Sequence, residues 1–299
     1  KVIGVMEDHG GMRFTASELA QLAGVTSSVV KGLMKQNVLV EYETPRDVAY
    51  PFLDASMDGK ALTEDQARVS GILRGKVGTQ KYSTVLLKGV TGSGKTEVYL
   101  EAVAECLAQG RQALVLLPEI ALTVEFLDRV EERFGARPAE WHSGVTVTER
   151  RRCWRMVGEN KAQLVVGARS SLYLPFQNLG LIVVDEEHDP SYKQEDGVLY
   201  NARDMAVMRA SICGASVVLA SATPSLESWA NAKAGKYERH DLAQRFGAAE
   251  LPEMKPIDLR GDELSPGRWI SDTLAREVFA RLDRGEQSLL FLNRRGYAP

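Results

Sequence analysis

The run Gly89-Val90-Thr91-Gly92-Ser93-Gly94-Lys95-Thr96 fits G-x-x-x-x-G-K-[ST] and constrains this chain more than any other stretch. Before it, Ser83-Thr84-Val85-Leu86-Leu87 is a short apolar run of strand character. After it, Val98, Leu100, Val103, Ala104 and Leu107 recur at helical spacing across residues 97–108. Where a strand passes through glycines into a helix, successive backbone N–H groups converge on phosphate oxygens, and the helix start adds its positive dipole end. Gly89, Thr91, Gly92, Ser93 and Gly94 are therefore the expected cradle of a nucleotide. Lys95 is expected to reach its β and γ phosphates, and the Thr96 hydroxyl to sit on Mg2+.

Such a loop needs a sheet beneath it, and the sequence supplies the strands. Ala113–Leu117, Leu164–Gly167, Leu181–Val184 and Val217–Ala220 are unbroken apolar runs, the signature of parallel strands buried on both faces. Helices are expected between them over residues 123–134 and, capped by Thr148, over 149–158, where Arg150-Arg151-Arg152 makes a basic run. Trp141-His142-Ser143 reads as the end of a short strand. Strands that alternate with helices and end in polar clusters describe an α/β fold with a mostly parallel, doubly wound sheet, its site at the carboxyl strand ends.

Hydrolysis needs a metal carboxylate and a group that orients water, and Asp185-Glu186 at the end of Leu181–Val184 offers both. Asp185 is expected to hold Mg2+ through its water shell and Glu186 to polarise the nucleophilic water. Glu187 receives no role. Upstream, Thr63 caps a new helix with Gln66 in its first turn, 29 residues before Lys95. An amide both donates and accepts, so Gln66 is expected to pair with N6 and N7 of adenine.

Outside this lobe the signals are weaker. Residues 1–54 read as a small winged helix-turn-helix: Thr15 and Glu18 make a capping-box signature, Thr26 caps a second helix, and Val38–Val40 with Tyr42 form one arm of a hairpin. Residues 1–55 carry five Lys and Arg against seven acids, which leaves both a packing role and direct DNA contact open. Asp54–Lys60 is polar and suits a linker into the motor lobe, residues 55–255. Residues 256–267 are a second linker, and a helix over 270–282 with a strand over 288–292 completes a third region, 256–299. The net charge is −3, so any nucleic-acid surface must be local. Cys106, Cys153 and Cys213 lack metal-ligand spacing and fit the reduced thiols of a cytosolic protein. No run reaches the roughly 18 apolar residues of a membrane span. A chain that starts at Lys1 without Met and stops at Pro299 within a pattern is expected to be a fragment.

The set GVTGSGKT, LLPEIALT, GARSS, VVDEEH and SATPS, in this order, resembles the first motor lobe of superfamily 2 helicases. Pro118–Thr123, Asp185–Asp189, Ser191–Glu195, Tyr200–Asp204, Ser221–Glu227 and Leu292–Tyr297 are similar to the bacterial replication-restart helicases, the PriA or primosomal protein N′ family. The resemblance implies a RecA-like P-loop NTPase lobe behind a winged helix, and a 3′ to 5′ DNA helicase powered by ATP and Mg2+. It assigns Gln66, Lys95, Thr96, Asp185 and Glu186 to the nucleotide. His188, Ser221 and Thr223 would couple nucleotide state to DNA. Residues 192–203 take the place of an aromatic-rich loop that senses single-stranded DNA, with Tyr192 and Tyr200 stacking on bases and Lys193 and Arg203 meeting phosphates. Val198 and Leu199 stand where that family often has an aromatic or basic residue. Implied partners are single-stranded and forked DNA, primosome proteins and single-strand DNA-binding protein, with no membrane. Zinc would belong only to a carboxyl-terminal part beyond Pro299, as would the arginine fingers, so this chain alone is expected to hydrolyse little. The alternatives are another superfamily 2 translocase and a nucleotide-binding scaffold without enzymatic activity.

Overall fold

The computed structural model describes residues 1–8, 14, 16–41, 48–118, 124–244, 253–260 and 270–291. The chain divides into two compact units, Lys1–Phe246 and Gly247–Pro299.

The first unit begins with three short helices, α1 (Val2–Asp8), α2 (Ala16–Leu22) and α3 (Ser27–Lys35). Val2, Leu19, Ala20, Ala23 and Val30 form their small core. Thr26 is the N-cap of α3 as expected, although its side chain bonds Ser28 Oγ rather than the helix backbone. Thr15 and most of the expected hairpin, residues 42–47, lie outside the described residues. Its first arm is corrected: residues 38–41 are not a strand, and the amides of Val38 and Leu39 bond back to Leu33 O as the end of α3 unwinds.

The chain from Val48 to Met57, which includes the start of the expected linker Asp54–Lys60, is pinned to the larger domain. Arg152 donates to Val48 O (2.7 Å) and Ala49 O (3.3 Å), Gln163 Oε1 accepts from Leu53 N (2.8 Å), and buried Arg133 donates to Met57 O (2.6 Å). The basic run thus spends Arg152 on structure; its guanidinium also lies 4.1 Å from the Tyr50 ring centroid.

The larger domain follows as α4 (Glu64–Gly78), β1 (Ser83–Gly89), α5 (Lys95–Ala108), β2 (Gln112–Leu116), α6 (Val124–Phe134), β3 (Ala139–Trp141), α7 (Val147–Gly158), β4 (Leu164–Gly167), β5 (Leu179–Val184), a hairpin of β6 (Lys193–Gln194) and β7 (Tyr200–Asn201), α8 (Ala202–Cys213), β8 (Ser216–Ser221), α9 (Leu226–Lys233) and β9 (Glu238–Leu242). Seven strands form one parallel sheet in the order β3-β4-β2-β5-β8-β1-β9. Its α/β class and doubly wound layering are those the apolar runs predict. All residues of β2, β5 and β8 are buried. Successive side chains point to opposite faces, so Val85 and Leu87 join the core under α4, α5 and α6, while Leu86 joins the core under α7, α8 and α9.

Several boundaries differ from the sequence reading, each for a local reason. The cap of α7 is Thr146, whose hydroxyl accepts from Glu149 N (3.2 Å), so Thr148 falls inside the first turn. The strand before it ends at Trp141, because the His142 carbonyl accepts from Val145 N and begins a turn. In the second unit, α10 (Asp272–Asp283) is capped by Ser271, which accepts from Leu274 N. Residues 288–291 are not a strand, and Leu292 lies outside the described residues.

Candidate active site

Because β8 lies between β5 and β1, the loops that leave these three strands emerge side by side at one sheet edge. The glycine loop follows β1. Gly94 has φ 78° and serves as N-cap of α5, with Lys95 as the first helical residue. A Cβ on Gly94 would stand 2.4 Å from Gln66 Nε2, and one on Gly89 would stand 2.4 Å from Ser93 Oγ and 3.0 Å from Lys95 Cγ. At Gly94 the left-handed backbone also favours glycine, while a side chain at Gly89 would displace Ser93 Oγ and crowd Lys95. Lys95 is 8% exposed and donates from Nζ to Gly89 O at 2.9 Å. Among the described residues Ser93 Oγ is buried without a hydrogen-bond partner, a condition that costs about 1–3 kcal/mol. The loop therefore presents a buried cation and an unspent hydroxyl at a helix N-terminus, which suits an anion.

Asp185 comes to this loop through a residue the sequence reading missed. Tyr99, one turn into α5 and fully buried, donates its hydroxyl to Asp185 Oδ2 at 2.9 Å and also meets the Thr96 side chain. The two expected Mg2+ residues thus share one phenol. Burial, and then the charge of Asp185, push the Tyr99 hydroxyl well above its ordinary pKa, so it stays a donor. Desolvation likewise lifts the Asp185 carboxyl above its ordinary range, opposed by the Tyr99 hydrogen bond and the Lys95 charge. A hydroxyl on the same helix face as Lys95, one turn later, was the available signal.

Glu186 has φ 45°, the left-handed region that side chains with a Cβ rarely occupy. Its neighbours are tied down: Asp185 N donates to Leu116 O (3.0 Å) and Glu187 N to Ala220 O (3.0 Å). Beyond them, His188 Nδ1 lies 2.7 Å from Ser221 Oγ and 3.6 Å from Glu186 Oε2, and Thr223 N donates to Ser221 Oγ at 3.0 Å. The three residues expected to couple the sites are therefore joined, with Glu186 beside them.

Gln66 is 4% exposed and already engaged. Its Oε1 accepts from Thr63 N (2.9 Å) in a capping box, and its Nε2 donates to Ser93 O (2.9 Å). An amide has two N–H groups and two lone pairs, so one of each remains. Gln66 also lines a cavity of about 530 Å3, together with Thr63, Arg68, Ser93 and Leu242.

Two expected DNA contacts are corrected. Tyr192 is fully buried, and its hydroxyl donates to Asp185 O (2.6 Å) and Leu116 O (3.0 Å). It braces the acidic turn and has no face for a base. Arg203 is 5% exposed; its Nη1 donates to Ser225 Oγ (2.6 Å) and lies 3.5 Å from Glu187 Oε2, while Nε donates to Asp204 (2.8 Å). Breaking a buried ion pair costs about 3–5 kcal/mol, whereas a hydrogen bond to a charged group returns about 1.5–3 kcal/mol. Arg203 therefore stays inside. Lys193 and Tyr200 do reach the surface: Lys193 is exposed, 3.3 Å from Glu195, and half-buried Tyr200 meets Tyr173 edge to face with centroids 5.5 Å apart. Arg169, unassigned from the sequence, donates to Lys193 O at 2.6 Å.

Among the described residues, no group of three or more His, Cys, Asp and Glu could hold a metal, and no helix is long and apolar enough to cross a membrane. A magnesium site of one hydroxyl and one carboxylate, completed by phosphates and water, is not such a group.

A family model described as DEAD/DEAH box helicase matches residues 63–232, from the N-cap of α4 into α9. Over 238 residues, 80% of this chain, the sequence is 48% identical to the Replication restart protein PriA of Rickettsia conorii. Over 298 residues, 98% of this chain, it is 39% identical to the Replication restart protein PriA of Bacillus subtilis. The chain spans 36% and 37% of the lengths of these two relatives. A solved structure of RecG bound to a three-way DNA junction shares the fold, with TM-score 0.50 and 20% identity over 95% of this chain and 32% of that one. With a glycine loop, an acidic turn and a Ser-Ala-Thr loop at one sheet edge, and with the family model covering more than half its length, this chain belongs to the DEAD/DEAH box helicases and is homologous to the bacterial replication restart proteins PriA.

Proposed function

We propose that this chain is the nucleotide-binding motor lobe of an ATP-dependent DNA helicase that acts in replication restart on stalled or branched forks. The observation that carries the reading is the Tyr99 hydroxyl, which joins the glycine-loop helix to Asp185. Lys95 leaves Gly89 O to bind phosphate oxygens, and the amides at the start of α5 orient them. The unspent Ser93 hydroxyl and the close-packed glycines fit that anion, and Thr96 and Asp185 are the hydroxyl and carboxylate that would hold Mg2+. When bound, the metal supplies charge neutralisation at the phosphates. Gln66 offers its remaining donor and acceptor to adenine from the cavity wall. Glu186 holds the attacking water, and His188, Ser221 and Thr223 tie that carboxylate to β8. The relatives named replication restart protein support the choice of DNA, and primosome and single-strand DNA-binding proteins are the partners such a motor would meet at a fork.

For single-stranded DNA we assign Lys193 and Tyr200, with Tyr173 and Arg169 beside them. A cation for phosphates and a ring for a base suit a strand bound without sequence preference. The test is ATP hydrolysis by the native protein with and without single-stranded DNA, in wild type and in a Lys193→Glu, Tyr200→Ala double variant. DNA is expected to raise the wild-type rate several-fold and to leave the variant at its DNA-free rate, with nucleotide affinity unchanged. Equal stimulation of both proteins would remove this surface from the DNA path.

A further inference from the structure

The acidic turn carries a carboxylate that no role above uses. Glu187 is 1% exposed, and an acid goes so deep only when it is paired. Ser225 N donates to Oε1 (2.7 Å), Ser225 Oγ and Ser228 Oγ donate to Oε2 (2.9 and 2.8 Å), and Arg203 Nη1 stands 3.5 Å from Oε2. Three segments meet on this one side chain: the turn after β5, the first turn of α8 and the capped start of α9.

We infer that Glu187 is a positioning residue for Glu186. Between Asp185 and Glu187, both tied by their amides to neighbouring strands, Glu186 adopts the left-handed backbone that it would otherwise leave. The Glu187 side chain is the third tether, fixed from below by α9 and neutralised by Arg203. While it holds, the Glu186 carboxylate keeps one place relative to Asp185 and the glycine loop. Without it the turn relaxes and that carboxylate moves, and a displacement of about 1 Å costs on the order of 10²-fold in rate. This inference rests on the reading that Glu186 holds the attacking water.

The test is a double-mutant cycle in the native protein, with steady-state ATP hydrolysis and the stoichiometry of bound nucleotide as readouts. Glu187→Gln is expected to lower kcat about tenfold or more, while KM and bound nucleotide per chain stay at wild-type values. On a Glu186→Gln background the same change is expected to add almost nothing, because residues acting as one unit are not additive. Ser228→Ala removes one donor to Oε2 and keeps the buried charge pair; it is expected to show the same pattern with a smaller loss and to serve if Glu187→Gln fails to fold. A full repeat of either loss on the Glu186→Gln background, or wild-type kcat in Glu187→Gln, would overturn the inference while leaving the reading of Glu186 intact. Wild-type turnover in Glu186→Gln alone would overturn that reading and the inference with it.

Discussion

Lys95→Ala is expected to abolish ATP turnover and to weaken nucleotide binding by about 10²-fold, because the variant loses a buried cation aimed along the glycine loop. A hydrogen bond to a charged group contributes about 1.5–3 kcal/mol, and a cation that reaches two phosphates forfeits two of them. The fold should survive. Among the described residues Lys95 donates one hydrogen bond, to Gly89 O, and the cost of burying its ammonium offsets the about 1.5–3 kcal/mol that a bond with a charged donor contributes. The measurement is fluorescent-nucleotide binding alongside thermal unfolding. Loss of binding with a nearly unchanged melting temperature is the expected outcome; full binding by the variant would remove Lys95 from the site.

Glu186→Gln is expected to separate binding from chemistry. An amide keeps the shape of the carboxylate and abolishes its capacity to draw a proton from water, which is worth about 10²–10⁴-fold in rate. Nucleotide affinity should hold, because Lys95, Thr96 and Asp185 are untouched. Burst and steady-state hydrolysis measured on the native protein distinguish the cases: a stable bound triphosphate is expected, whereas equal loss of affinity and rate would make Glu186 a binding group. The left-handed backbone at this residue fits the first outcome, since strain of order 1–3 kcal/mol persists where the surroundings over-determine it.

Much of the lobe was readable because its central strands have no polar face to confuse the pattern. Leu164–Gly167 begins and ends where the apolar run does, and β5 and β8 extend theirs by one or two residues. The edge strand β9 was not readable: Glu238-Arg239-His240-Asp241-Leu242 is charged along most of its length, and only its pairing with β1 makes it a strand. The helix α8 was hidden by Arg203, Asp204 and Arg209 among its three alanines, all of which face inward.

The site divides in the same way. Residue types fixed the glycine loop and the acidic pair, since few other chemistries need them at that spacing. Direction was not fixed. Tyr192 and Arg203 are of the right types for DNA, yet both point into the protein, because the turn they brace carries more buried acceptors than the sequence reveals. Glu187 has no role that its residue type or spacing reveals, yet it is more enclosed than either Glu186 or His188. Tyr99 lies outside the apolar spacing that marks the helix, and it is both core and hydrogen-bond donor.

The proposed function requires the glycine loop and the acidic turn to hold one metal-bound triphosphate between them. Calorimetric titration of the native protein with a non-hydrolysable ATP analogue, with and without Mg2+, in wild type and in Asp185→Asn, tests it most directly. The predicted result is a single site whose affinity rises about tenfold or more with Mg2+ in wild type, through charge neutralisation at the shared anion, and loses that dependence in Asp185→Asn. An affinity indifferent to Mg2+ in both proteins, or equally Mg2+-dependent in both, would contradict it.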